Sequence, residues 1–102
     1  MFRAAIAAGL VLLVSTNPSQ AGDTALGKKK AAVCAACHGI DGNSRNGLWP
    51  KLAGQHQLYL AKALKDFRAG ARKDPTMNAM AKSLSDTDIV NLAAYYASQK
   101  QK

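Results

Sequence analysis

An all-α fold of about four helices joined by loops is what this sequence predicts, and three observations predict it. No segment alternates apolar and polar residues at the strand period over a useful length, whereas several stretches repeat at the helical period. Helix start and stop signals bracket those stretches. There is no internal repeat and no low-complexity tract beyond the first residues, so 102 residues make one domain and no more.

The first segment stands outside the fold. Arg3 precedes an apolar run from Ala4 to Val14 (AAIAAGLVLLV). That run is shorter than the roughly 20 residues a spanning helix needs. The polar stretch STNPSQA follows, with Ser19 and Ala21 as small residues three and one before a cut. This pattern predicts a secretory signal peptide over 1–21, cleaved between Ala21 and Gly22. The expected product is an exported, periplasmic domain of residues 22–102 with no stable membrane anchor.

Within that domain the first helix is expected from Thr24 to about Cys37. Leu26 and Val33 lie seven apart as an apolar stripe, and Gly27 and Ala31 lie four apart as a strip of small residues. After a glycine-rich loop, Leu58 to Ala69 places Leu60, Leu64 and Phe67 on one face. Gly70 ends that helix, with Lys65 and Arg68 near its negative end. Asp74-Pro75 opens a short segment as N-cap and first helical residue. Ser85 with Asp88 resembles a capping box, although Glu or Gln is the usual third residue. The last helix, Asp86 to about Ser98, carries Ile89, Leu92, Ala93 and Tyr96 on one face.

Without Arg3, 13 basic and 6 acidic residues leave a net charge of +7, and there is no glutamate. Such a balance suits an acidic partner. Export and the lack of any nucleic-acid motif argue against nucleic acid. The Lys28-Lys29-Lys30 run reads as a solvated helix face. A chain of this size buries limited apolar surface and often needs a disulfide, a metal or a cofactor. The apolar inventory here is thin and alanine-heavy, with one tryptophan, three tyrosines and one phenylalanine after cleavage, so something else is expected to complete the core.

Both cysteines lie in Cys34-Ala35-Ala36-Cys37-His38. A disulfide there would close a loop of two intervening residues and stabilise little. A thioredoxin-like redox pair needs a βαβ context that this chain lacks. A structural zinc site needs four ligands, and adjacent Cys37 and His38 are poorly placed to bind one ion with Cys34 and His56. C-x-x-C-H is the pattern of covalent haem attachment. Each thiol can add across one vinyl group to form a thioether, and two intervening residues let one helical turn reach both. His38 is then held beneath the iron as an axial ligand, while Ala35 and Ala36 are small enough to lie against the macrocycle edge. The covalent link also keeps an exported protein from losing its cofactor.

The segments CAACHGIDG, W-P-K-L-A-G-Q, Y-L-x-x-x-L-x-x-F-R-x-G-x-R, M-x-x-M-A-x-x-L-S-D-x-D and L-A-A-Y-Y-A-S, in that order, resemble the class I c-type cytochromes of bacteria. The similarity is to one haem domain of the two-haem cytochrome c4 type, and to the single-haem cytochrome c553 and c5 types. It covers nearly all of residues 22–102. With one attachment motif where cytochrome c4 has two, the chain looks like a single-haem relative. The resemblance implies the class I cytochrome c fold, with about four helices wrapped around one covalently bound haem c. It implies Cys34 and Cys37 as the thioether residues, His38 as the proximal iron ligand and Pro50 as carbonyl acceptor for the other nitrogen of His38. It also implies that Gly27 and Tyr95 mark the crossing of the first and last helices.

For the opposite axial position the residues leave Met77, Met80 and His56 open. Helical spacing puts Met77, Met80, Ala81 and Leu84 on one face, so either methionine also suits a core. The family pattern implies the first of the two, Met77, with Met80 as runner-up. Trp49 and Tyr59 are read as haem-packing or core aromatics, and Lys51, Gln55 and Arg68 as candidates for reaching a propionate. His56 reads as a surface histidine.

Histidine and methionine together fill both axial positions and leave no open site for a substrate, which argues against an enzyme. A thioether ligand favours the ferrous state and raises the potential. The expected function is that of a soluble periplasmic electron carrier, monomeric, meeting redox proteins through acidic docking surfaces. The alternative is a haem c subunit of a periplasmic dehydrogenase or terminal oxidase complex. An enzyme or gas sensor would follow only if neither methionine ligated the iron.

Overall fold

The computed structural model describes residues 9–10 and 21–102. The leader expected over 1–21 therefore lies outside the described residues, save Gly9, Leu10 and Ala21. Five α-helices follow in order: α1 Thr24–Lys30, α2 Ala35–His38, α3 Gln57–Ala69, α4 Pro75–Ala81 and α5 Asp86–Ser98. A 3₁₀ turn, Ala31–Val33, joins α1 to α2. The described residues contain no strand, and none of their helices is long and apolar enough to cross a membrane.

The first expected helix is thus broken into three pieces. Cys34 N–H bonds the carbonyl of Ala31 at 2.9 Å, a three-residue step that tightens the chain. Tighter winding turns the residues after it onto a different face. Leu26 and Val33 are consequently not a core stripe: they are 51% and 62% exposed. The buried side of this segment is the small-residue strip, Gly27 and Ala31, the latter 2% exposed.

Close approach of backbones explains that choice. A Cβ on Gly27 would land on the Asn91 carbonyl and on the Tyr95 Cβ of α5, so only glycine admits this crossing. The buried Asn91 amide oxygen accepts the Asp23 N–H at 2.8 Å. Asp23 in turn caps α1 by accepting the Leu26 N–H at 3.0 Å. The helix crossing implied by Gly27 and Tyr95 is present.

The remaining boundaries follow the cap residues. Asp74 accepts the Met77 N–H at 2.9 Å, with Pro75 in the first turn of α4. Ser85 Oγ accepts the Asp88 N–H while the Asp88 carboxylate accepts the Ser85 N–H, each at 3.0 Å, so an aspartate closes this capping box. Gly70 takes the left-handed conformation, φ 76°, that ends α3. Ile89, Leu92, Ala93 and Tyr96 of α5 are all buried, against Leu60 of α3 and Ala81 of α4. Leu64 and Phe67 are half-buried against this core.

Two side chains fix α3 relative to its neighbours. The Asn78 amide donates to the carbonyls of Phe67 and Arg72, each at 2.8 Å, and so ties α4 to the end of α3. Arg68 donates to the Leu84 carbonyl at 3.0 Å and to the Asp86 carboxylate at 2.6 Å, which ties α3 to the start of α5. Arg68 is thereby committed to the scaffold.

Candidate haem-attachment site

Cys34 immediately precedes α2, and Cys37 and His38 form its last turn. The N–H groups of Cys37 and His38 both reach the Cys34 carbonyl, at 3.3 and 2.9 Å, so this single turn sets the relative placement of all three side chains. Both cysteines are free thiols and half-buried.

His38 is 7% exposed, and its Nδ1 lies 2.8 Å from the Pro50 carbonyl. A carbonyl can only accept, so Nδ1 carries the proton. In the neutral ring Nε2 then presents its lone pair, as a metal-ligating imidazole requires. The loop that delivers Pro50 is closed at its base, where the Gly42 carbonyl accepts the N–H groups of Leu52 and Ala53 at 2.8 and 3.1 Å. Tyr95 of α5 donates its hydroxyl to the Ile40 carbonyl at 2.8 Å, anchoring the chain just after His38.

Burial pushes the Cys34 thiol up from its ordinary pKa, with the neighbouring Tyr96 hydroxyl acting in the opposite sense. Burial also drives the Tyr96 phenol well above its usual range. The Tyr96 hydroxyl is a buried polar atom with no hydrogen-bond partner among the described residues. Buried polar groups are normally satisfied, so this one calls for an explanation, and it sits beside the Cys34 thiol.

Met77 is half-buried one helical turn from Ala81, which is wholly buried, whereas Met80 is 39% exposed. Met77 and Met80 therefore do not share one buried face. Trp49 and Tyr59 are likewise surface-exposed and are not core aromatics. His56 is an exposed residue at the start of α3. Among the described residues no three His, Cys, Asp or Glu side chains come together as metal ligands. Lys51 donates to the Lys102 carbonyl at 2.8 Å.

The donor set fits haem c. Two free thiols stand in one helical turn, with an imidazole whose tautomer is set for metal. Large apolar side chains are exposed on the segments that flank them, Val33 and Ile40 beside the turn and Leu48 and Trp49 beside Pro50. A macrocycle bonded at Cys34 and Cys37 needs such an apolar lining.

A helical chain that pairs a CxxCH turn with a carbonyl-locked histidine defines a c-type haem protein. Comparison with known proteins gives the family. The family model "Cytochrome c" matches residues 24–100, and the chain belongs to the cytochrome c family, whose members carry covalently bound haem c and its iron. It is 52% identical over 80 residues to cytochrome c4 of Pseudomonas aeruginosa, covering 78% of this chain and 40% of that protein. It is 46% identical over 83 residues to cytochrome c-554(548) of Halomonas halodenitrificans, covering 78% of this chain and 100% of that protein. A thiosulfate dehydrogenase electron acceptor of Thiomonas intermedia is 45% identical over 70% of this chain and 33% of its own length. Reduced recombinant cytochrome c4 from Pseudomonas stutzeri superposes with a TM-score of 0.76 at 47% identity, over 79% of this chain and 47% of that one. The chain spans about half or less of the cytochrome c4 relatives it matches. These cytochrome relatives are electron carriers and not enzymes.

Proposed function

We propose that this protein is a periplasmic one-electron carrier with a single haem c, bonded through Cys34 and Cys37 and ligated axially by His38 Nε2 and the Met77 sulfur. The observation that carries the reading is the 2.8 Å contact between His38 Nδ1 and Pro50, made in the same turn as two free thiols. When bound, the group supplies reversible exchange of one electron at its iron. The chain's own residues do the rest. The Pro50 carbonyl holds the Nδ1 proton and so orients the ring and raises its basicity. The Asn78 bonds hold α4 in place, and with it Met77. With both axial positions taken by protein, little has to move when the charge changes, which suits a shuttle.

The excess of 14 basic over 6 acidic residues in the full chain supports monomeric encounters with acidic docking surfaces. The amino-terminal pattern supports export through a cleaved leader. Oxidised and reduced absorption spectra test the reading. A sharp reduced α-band, with a weak far-red thioether-to-iron band in the oxidised form, is the expected result; a high-spin spectrum would remove Met77 from the iron.

A second reading, a haem c subunit of a periplasmic dehydrogenase or terminal oxidase complex, is favoured by the likeness to the thiosulfate dehydrogenase electron acceptor. Purification at fixed stoichiometry with a larger enzyme would select it over the free carrier.

A further inference from the structure

Beyond α5 the chain stays on the surface of the Pro50 loop, and both limbs of that loop are fastened to it. On the first limb, Asn43 spends both ends of its side-chain amide on one backbone segment. Its Nδ2 donates to the Lys100 carbonyl at 2.9 Å, and its Oδ1 accepts the Lys102 N–H at 2.9 Å. An extended strand presents the C=O of one residue and the N–H of the second residue on to a pairing partner, so Asn43 stands in for that partner. Asp41 on the same limb pairs with the Lys102 ammonium at 3.0 Å. On the second limb, Lys51 donates to the Lys102 carbonyl at 2.8 Å and the Gly54 N–H donates to the Tyr96 carbonyl at 3.0 Å. Pro50 lies between the two limbs, and His38 precedes the first.

We infer that Asn43 is a positioning residue for the His38 ligand: by clamping segment 100–102 across the loop, it holds the Pro50 carbonyl on His38 Nδ1. This deepens the haem reading above and rests on it. The amide is chosen over the ion pairs because exposed lysine contacts are screened by salt and free to rearrange, whereas two neutral hydrogen bonds from one side chain fix two points of the same backbone segment and are not screened. A loosened loop weakens the Nδ1–H bond, makes the imidazole a poorer donor and destabilises the ferric state.

The test uses the haem-loaded protein and its Asn43→Ala and Asn43→Asp variants, with two changes at Lys102. Lys102→Pro removes the N–H donor together with the ammonium that pairs with Asp41; Lys102→Ala removes the ammonium alone and is expected to stay near wild type. Asn43→Ala and Lys102→Pro are expected to shift the ferric/ferrous equilibrium several-fold toward ferrous, within one decade or about 59 mV for a one-electron couple. They are also expected to speed solvent exchange of the His38 Nδ1 proton, read by proton NMR of the reduced protein. Asn43→Asp keeps the acceptor for Lys102 N–H and is expected to fall between wild type and Asn43→Ala. Asn43→Ala and Lys102→Pro proteins that load haem yet keep the wild-type potential and exchange rate would overturn the assignment of Asn43. Wild-type protein with no haem to titrate would instead overturn the underlying reading.

Discussion

Met77 and Met80 lie three apart on one short helix, yet Met77 is half-buried and Met80 largely exposed. Helical spacing alone did not separate them, because residues three apart on a helix share a face in projection. Met77→Ala is therefore expected to abolish the far-red thioether band and let carbon monoxide bind the reduced iron, while Met80→Ala leaves both unchanged; the opposite pattern would reassign the ligand. Gly27 offers a second test at this scale. Gly27→Val puts a branched side chain against the Asn91 carbonyl and is expected to cost about 1–3 kcal/mol or more by denaturant unfolding. Gly47→Val, with nothing within 4 Å of its Cβ, is expected to stay within about 0.5 kcal/mol of wild type. Five letters of sequence were enough to propose the attachment residues, and the structure brings Cys34, Cys37 and His38 into one turn. Pro50 was legible only by resemblance, because a proline in a loop announces no partner. Asn43 was not legible at all, since its two bonds reach positions 57 and 59 residues away.

Helix α5 starts where Ser85 and Asp88 said it would, and α4 where Asp74-Pro75 did, because a cap is a bond between near neighbours in the chain. The break between α1 and α2 was invisible for the opposite reason: a tertiary crossing at Gly27 decides which face is buried. Ser85→Ala is expected to lower stability by about 1 kcal/mol, measured by chemical denaturation. Acid should act on the same helix. The Ser85 N–H, with Lys30 assisting, holds the Asp88 carboxyl below its usual pKa, and Arg68 does so for Asp86. A carboxyl depressed in the folded state contributes stability above its unfolded value of about 3.9, and that contribution is lost as pH falls through the folded value. The melting temperature is accordingly expected to drop below about pH 4, and less steeply in Asp88→Asn, which removes one of the titrating groups.

Seen as one body, the molecule packs α5 against both α1 and α3 and keeps several large apolar side chains at its surface near the attachment turn. A chain this small gains much of its folding energy from whatever completes that core, and ligation is part of it. Under the proposed function, with a net charge of +7 after the leader is removed, encounters with acidic partners are expected to be salt-sensitive: the bimolecular electron-transfer rate with an acidic redox protein should fall as ionic strength rises, and a flat dependence would remove charge steering. The ligand and electron-transfer expectations presume the covalent cofactor. Intact-mass measurement of protein exported by a host that makes c-type haem proteins tests it most directly. The predicted mass is that of the polypeptide plus one haem, unchanged by acid-acetone extraction; a colourless protein with the mass of the bare polypeptide would contradict the account.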